Sequence, residues 1–452
     1  MIVMKFGGSS LADADCLRQV GSLVRERLAQ APLVVLSAMG GTTDDLFAMA
    51  RSAEKGDLVA ALEGLAALEA AHREAAEDLF EGHVPERVAT AMAGHVEELG
   101  LRLRGVSLLG ELSPRSLDAI TAYGEQLSTL VFAAWLQAPC VDARRVLITD
   151  ACFGEAQPQP EQVRARAAEW IRPLLGPGKA VVTQGYVGGT ADGRTTTLGR
   201  GGSDYSAALL GAALGAEELQ IWTDVEGVLT CDPRVVPGAQ PIAELSFAEA
   251  AELAAFGARI LHPATIQPAV EADIPVTVRH TRRPEGAFTT ITGQVATGRP
   301  VTALASRDGL TVLTVSSTRM LQQAGFLARL FEVFARHRVS VDLVATAEVS
   351  VSLTVDADVV LEPLLEELKA FATVRVVQDR ALVAVVGERL KVTSGLAGRI
   401  FTALGDLNVE MISMGANEIN LSMVVAATEA PRALLQLHQA LMEPAAGEER
   451  RP

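Results

Sequence analysis

The sequence predicts an α/β protein: an open, mainly parallel sheet between helical layers, followed by two small ferredoxin-like βαββαβ modules. Three observations carry this expectation. Short apolar strands alternate with helix-length runs over the first two-thirds of the chain, and glycine-rich turns follow several of those strands. The last 140 residues or so repeat themselves at an offset of 70.

Ile2–Phe6 is a short apolar strand that runs into Gly7-Gly8-Ser9-Ser10. Leu33–Leu36 is a second buried strand, followed by Ser37-Ala38-Met39-Gly40-Gly41-Thr42-Thr43. From Asp44 to about Gly105 the chain is rich in Ala, Leu and Glu at helical spacing, and a further helix is predicted over Ser116–Gln137. Strands return at Val146–Ile148, Ala180–Thr183 and Leu219–Trp222, the last after a helix over Ser203–Leu214. Strands separated by helices need crossover connections, hence a largely parallel sheet.

In the repeated region Thr311–Val315 aligns with Ala381–Val385, Gly325–Phe331 with Gly395–Phe401, and Glu348–Leu353 with Glu418–Met423. Each unit reads strand, helix, strand, strand, helix, with room for a last strand.

The chain has 452 residues, with 39 Lys+Arg against 55 Asp+Glu and a net charge of −16. Such length implies several domains of roughly 100–200 residues each. With 49% hydrophobic and 21% charged residues the composition is that of a folded globular protein. The acidic balance argues against sequence-independent binding to nucleic acid or an anionic membrane. It leaves room for a local basic pocket. No apolar run reaches the roughly 18 residues of a membrane span, and MIVMKFGGSS does not read as a signal peptide. The scattered cysteines (Cys16, Cys140, Cys152, Cys231) read as free buried thiols of a cytoplasmic protein.

A Walker P-loop is absent: the one Gly-Lys pair, Gly178-Lys179, lacks a following Ser or Thr. Neither a nucleophile elbow, an HExxH motif nor a kinase catalytic loop occurs. The chemistry instead gathers in turns at strand ends, where open α/β sheets bind ligands. Lys5-Phe6-Gly7-Gly8-Ser9-Ser10 offers backbone N–H groups and a point charge to an anion; its plain alternative is an ordinary strand-to-helix turn. In Thr196-Thr197-Leu198-Gly199-Arg200-Gly201-Gly202-Ser203-Asp204-Tyr205, Arg200 suits a carboxylate, while Ser203 and Asp204 read equally as helix caps. Trp222–Arg234 taken alone reads as a strand ending in a polar turn, and Phe256–Pro263 carries Arg259, which taken alone reads as a solvated charge.

Together, KFGGSS, SAMGGTT, YGEQLS, LGRGGSDYSAALL, WTDVEGVLTCDPR and FGARILHP resemble the aspartokinases of the amino-acid kinase superfamily, in the family's order and spacing. The likeness covers essentially the whole chain and is greatest to the monofunctional lysine-sensitive bacterial type, with 452 residues leaving no room for a fused homoserine dehydrogenase. It implies an amino-acid kinase catalytic domain over residues 1–300, with a helical excursion at about 44–137, and ACT modules at 308–380 and 381–445. The implied reaction is MgATP plus L-aspartate giving 4-phospho-L-aspartate and ADP.

The attacking β-carboxylate is already ionised at neutral pH, so the site needs positive charge and positioning rather than a base. By the resemblance Lys5 shields the transferring phosphoryl group and Asp204 orients the basic groups. Arg200 holds the α-carboxylate and Glu125 the α-ammonium, with Ser37 and Thr43 beside the substrate. Gly7, Gly8, Ser9, Thr223, Asp224, Arg234 and Arg259 join Lys5 around ATP. Leu229 stands where the family usually has Tyr, and Arg259 where it often has Lys.

The resemblance also implies feedback by an amino acid, lysine, bound by the first module at Met320, Gly325, Phe326, Leu327, Ser340, Val341, Asp342 and Glu348. Asp342 and Glu348 would partner its ammonium; Ile412 stands at the position of Asp342 in the second repeat, and Ala347 where the family often has Ser. A homodimer or dimer of dimers through the ACT modules is implied as well. Two rival readings are a related kinase acting on another acid or on carbamate, and a catalytically silent amino-acid sensor.

Overall fold

A computed structural model describes residues 1–256, 263–293, 295, 299–321, 325–415 and 417–442. The chain divides into two compact units. One takes in Met1–Val228, Ala243–Phe247 and Leu261–Val295, the other Leu229–Ile242, Ala248–Ile260 and Ala296–Pro452.

Strand β1 (Ile2–Phe6) leads to α1 (Ala14–Glu26), β2 (Leu33–Leu36) and the helices α2 (Thr42–Glu54), α3 (Leu58–Leu79), α4 (Glu86–Leu109), α5 (Pro114–Thr121) and α6 (Tyr123–Leu136). There follow β3 (Cys140–Val141), β4 (Ile148–Thr149), α7 (Pro160–Trp170), β5 (Val181–Gln184), β6 (Val187–Thr190), β7 (Thr195–Thr197), α8 (Gly202–Leu214) and β8 (Glu218–Thr223). Further along come β9 (Glu244–Ser246), α9 (Phe247–Ala255), α10 (Pro263–Glu271), β10 (Val276–His280) and β11 (Thr289–Thr292).

The eight-stranded sheet runs β3-β5-β2-β1-β8-β10-β11-β9, and β4, β6 and β7 form a small second sheet. From β3 to β10 every pairing in the large sheet is parallel; β11 turns antiparallel to β10. Lys5 therefore lies level with Val35 on one side and Ile221 on the other. Its strand neighbours Met4 and Phe6 are buried in a core with Leu36, Leu127, Phe132 and Trp222. Because β1, β2, β8 and β10 run the same way, the turns after all four emerge at one edge of the sheet.

Local signals start and stop the helices as expected. Asp13 accepts the Cys16 N–H to cap α1, Asp57 the Ala60 N–H to cap α3, and Ser113 with Pro114 opens α5. The predicted helix over Ser116–Gln137 is in fact two, α5 and α6. They join at Ala122, where the Thr121 hydroxyl bonds back to the Leu117 carbonyl (3.1 Å), a contact that bends helices. The strand expected at Val146–Ile148 shifts to β4, because Ala143–Arg145 closes into a 3₁₀ turn capped by Asp142. All four cysteines are free, but two are exposed rather than buried: Cys140 lies in β3 at the sheet edge and Cys152 in a loop.

The second unit contains β12 (Ala303–Ser316), α11 (Phe326–Arg336), β13 (Val344–Thr346), β14 (Ser350–Asp356), α12 (Glu362–Lys369), β15 (Thr373–Val386), α13 (Leu396–Leu404), β16 (Met411–Met414), β17 (Asn420–Ala426) and α14 (Ala430–Met442). Its sheet runs β13-β14-β12-β15-β17-β16. The two longest strands are each shared between modules. Leu310–Ser316 of β12 pairs with β14 and with Thr373–Val377 of β15. Ala303–Arg307 pairs with Leu382–Val386 of β15, which in turn pairs with β17.

Thus the last strand for which the second repeat has room comes from Ala303–Arg307, ahead of the first repeat. Val301 and Leu304 accordingly sit in the second module's core with Val383, Ile400, Met423 and Leu437. Leu330, Phe334, Leu353 and Leu364 form the core of the first.

Candidate active site

Lys5 projects from the end of β1 and its Nζ lies 2.7 Å from Asp204 Oδ1 in the first turn of α8, with both side chains largely buried. The contact is charge on charge, off the angle of an aligned hydrogen bond. Lys5 thus already has a partner in the folded chain. Ser203 and Asp204 do not cap α8: its N-cap is Gly201, at φ +72°, with no side-chain cap bond. Asp204 is turned to Lys5 instead.

The turn after β1 is held by close backbone approaches. Gly7 N–H donates to the Trp222 carbonyl (3.3 Å) and Gly40 N–H to the Gly8 carbonyl (3.1 Å). A Cβ on Gly8 would stand 2.7 Å from Gly40 O and 3.1 Å from Ala38 O, and both are backbone atoms that have little freedom to move. One on Gly7 would meet Lys5 Nζ at 3.6 Å. Gly8→Ala is therefore expected to keep the fold but push the first turn off the second, lowering turnover about tenfold or more; unchanged kcat in a steady-state assay would contradict it.

Ser37 and Glu125 meet at the same loop. The Ser128 hydroxyl donates to the Ser37 carbonyl (2.8 Å), and Ala38 N–H donates to Glu125 Oε1 (3.1 Å). Gly124 allows this approach, since a Cβ there would lie 2.7 Å from Ala38 Cβ. Glu125 is 2% exposed and its Oε2 has no hydrogen-bond partner. Burial pushes its carboxyl up to about 8, against a smaller downward pull from the Ala38 N–H. A buried carboxylate oxygen left open is a place for a cation. Thr43 lies in the first turn of α2, which follows this loop.

Arg200 is exposed and makes no salt bridge among the described residues. Its loop is built by Gly199 and Gly201, both at positive φ, by Leu198 N–H donating to the Tyr186 carbonyl (2.9 Å), and by Gly202, packed under the Tyr186 ring. A third residue, which the sequence reading missed, anchors it. Asp118 on α5 accepts the Thr197 N–H, the Thr197 hydroxyl and the Gly154 N–H. Nothing in the local pattern distinguished it from the other carboxylates of the helical region.

On the other side of the turn, a cavity of about 790 Å³ is lined by Ser9, Thr223 and Asp224 together with His280, Thr281 and Arg282. Thr281 ties it together: its N–H donates to the Thr223 carbonyl (2.9 Å) and its hydroxyl lies 2.6 Å from Ser10 Oγ. The signal for His280–Arg282 was available, since His280 ends the strand that runs parallel beside β8, level with Thr223, and Thr281 and Arg282 open the turn after it.

Two expected nucleotide contacts fall outside the described residues of this unit. Arg234 belongs to the second unit, where it is exposed and pairs with Asp232 (Nη2–Oδ2 2.6 Å). Arg259 lies outside the described residues. Of the effector residues, Met320, Phe326 and Val341 pack on the first module's core. Gly325 caps α11 at φ +93°, Ser340 and Glu348 are exposed, and Leu327 is 41% exposed. Asp342 is already paired: Arg307 Nη2 lies 2.9 Å from its Oδ2, and Arg307 also contacts Asp356. Its counterpart Ile412 is exposed on β16.

Comparison with known proteins matches residues 1–280 to the amino acid kinase family and residues 313–362 and 383–441 to the ACT domain. Lysine-sensitive aspartokinase 3 of Escherichia coli is 40% identical over 461 residues, covering 98% of this chain and 99% of that protein. A chloroplastic aspartokinase 2 of Arabidopsis thaliana is 37% identical, covering 98% of this chain and 84% of that protein. The structure of Escherichia coli aspartokinase III in complex with aspartate and ADP superposes with a TM-score of 0.83, covering 98% of this chain and all of that one. The same enzyme with lysine and aspartate gives 0.82 over the same shares. With its turns assembled as the motifs require and its whole length matched at up to 40% identity, the chain belongs to the aspartokinase family.

Proposed function

We propose that the chain transfers the γ-phosphoryl group of ATP to the β-carboxylate of L-aspartate, giving 4-phospho-L-aspartate and ADP. The observation that carries this is Glu125: a buried carboxylate with one oxygen open, beside the loop that packs on the Lys5 turn. It supplies the negative end of an α-amino-acid site, and Arg200, free of ion pairs in its loop, supplies the positive end.

In this reading Arg200 takes the α-carboxylate, Glu125 the α-ammonium, and Ser37 and Thr43 flank the substrate. A β-carboxylate oxygen attacks the γ-phosphorus as the bond to the β,γ-bridging oxygen breaks, and ADP carries the electron pair away. Lys5, over the Gly7-Gly8 turn and held by Asp204, offsets the charge that gathers on the transferring group. Thr223, Asp224 and Ser9, which share a cavity, would face the nucleotide, with Arg234 and Arg259 as further cations.

Mg²⁺ would come with ATP, held mostly by phosphate oxygens and water, and would neutralise triphosphate charge. An aspartate-dependent assay with MgATP and hydroxylamine, which traps an acyl phosphate as its hydroxamate, tests the reading. Aspartyl hydroxamate and matching ADP are expected; their absence at saturating aspartate would sink it.

We infer further that lysine acts through the first module, supported by the lysine-sensitive relative and by the acidic Ser340-Val341-Asp342 segment, whose equivalent in the second repeat carries Ile412. An effector ammonium at Asp342 has to displace or share Arg307. Lysine at millimolar concentration is expected to lower turnover. Asp342→Ala should raise the half-inhibiting concentration about tenfold or more, as loss of a charge-assisted contact does. An unchanged inhibition curve removes Asp342 from the effector site.

A further inference from the structure

Asp118 is 2% exposed, and its carboxylate is fully engaged by one pair of loops. Oδ2 accepts the Thr197 N–H and the Gly154 N–H, each at 3.0 Å, and Oδ1 accepts the Thr197 hydroxyl at 2.8 Å. The same two loops also meet directly: Ala156 N–H donates to the Thr197 carbonyl (3.0 Å). Gly199, at φ +73°, packs so closely that a Cβ there would stand 3.3 Å from Gly154 O. Arg200 follows directly. Its own guanidinium is exposed and has no ion pair among the described residues, so the base of the loop is what places it. Asp118 also precedes Glu125 by seven residues, across the α5–α6 junction.

Resting on the aspartate kinase reading, we propose that Asp118 is a positioning residue for the substrate's α-carboxylate. It clamps the base of the Thr197–Arg200 turn to α5, and so sets the spacing between the guanidinium that takes the carboxylate and the Glu125 carboxylate on the next helix. Asp118 touches neither substrate nor the reacting atoms. A carboxylate accepts from all three groups with a full negative charge. The amide of Asn, nearly the same in shape, can keep its oxygen on the two N–H groups and turn its NH₂ to the Thr197 hydroxyl, but it removes the charge that strengthens all three bonds and so loosens the clamp.

Asp118→Asn is the test, with wild type, Arg200→Ala and the double variant measured beside it. For Asp118→Asn the KM for aspartate is expected to rise about tenfold or more, as three charge-assisted bonds become neutral ones, while the KM for ATP stays within about twofold. Combined with Arg200→Ala it should add nothing to the aspartate KM, because both changes remove the same grip. An aspartate KM that stays put, a parallel rise in both KM values, or full additivity with Arg200→Ala overturns the proposal. If Asp118→Asn shows no cooperative thermal transition, Thr197→Val decides by the same criteria, since it removes one of the three bonds and leaves the carboxylate; a threefold or greater rise in aspartate KM is then expected. Wild-type protein that forms no ADP in response to aspartate overturns the underlying reading and this one with it, whereas an active wild type with an indifferent Asp118 variant overturns this one alone.

Discussion

Replacing Lys5 by Ala is expected to lower kcat by roughly 100- to 1,000-fold, about 2.7–4 kcal/mol of transition-state stabilisation, the cost of removing one preorganised donor from a developing oxyanion. Ground-state binding should suffer much less, because the charge on the phosphates is partly met by backbone N–H groups of the turn after Gly7, whose own N–H is given to the Trp222 carbonyl. Two features of the site sharpen this. Lys5 is held by Asp204, so its ammonium is placed before any phosphate arrives. Its removal also leaves the Asp204 carboxylate without its cation, adding repulsion where charge is least welcome. Lys5→Arg should not restore the rate: the Nζ sits 3.6 Å from where a Gly7 Cβ would be, and the planar guanidinium is bulkier than the ammonium it replaces. Initial rates of ADP release across both substrate concentrations check this. A kcat within a few-fold of wild type in Lys5→Ala would remove it from the mechanism.

Glu125→Gln is expected to weaken aspartate, not ATP. Loss of a hydrogen bond to a charged group costs about 1.5–3 kcal/mol, so the aspartate KM should rise roughly 10- to 150-fold. The pH dependence is a second readout. With the carboxyl pushed up to about 8, the free protein holds it protonated at neutral pH, and the ammonium needs it ionised. In wild type, kcat/KM for aspartate should climb as pH rises toward 8 and then level off; in Glu125→Gln that climb disappears.

Stability runs the other way. The folded value lies above the ordinary 4.5, so the folded protein keeps a proton that the unfolded chain has released. This group's contribution is complete below 4.5 and is lost as pH rises through about 8. Thermal melts should therefore show Glu125→Gln gaining on wild type between about pH 5 and about pH 8, and no further above that. A flat difference across that range would mean the carboxyl titrates normally.

Much of this architecture is legible in the chain because local and global signals agree. The apolar strands around Lys5 and Ile221, the glycine turns and the offset-70 repeat each dictate their own structure with little help from elsewhere. The motif order carries the reading further, to a candidate site at Lys5, Glu125, Ser37 and Asp204, because each has a glycine or a strand end that makes its position recognisable. What escaped has a common cause. Asp118 works through donors at positions 154 and 197, so its role lies in distant pairing and not in neighbours along the chain. The assignment of Arg234 to the second unit turns on Cys231 and Val236 packing into that unit's core, which no local pattern shows. The shared strands are of the same kind: nothing about Ala303–Arg307 announces that it completes a module whose other strands begin almost eighty residues later.

Those shared strands have a mechanical consequence. The two modules are joined by two backbones in opposite directions, β12 and β15, so a torque on one is carried to the other along paired rails rather than through a single flexible tether. The rails are not uniformly stiff. Gly309 at φ +74° and Asp379 at φ +55° each immediately precede one member of the Leu310–Arg380 pair, where the ladder also slips register. These two irregularities at one level interrupt the ladder where it would bend most readily, while the regular pairing on either side resists slip along the strands. Arg307, two residues before Gly309, is the side chain that Asp342 and Asp356 hold, so the first module grips the strand right beside this level.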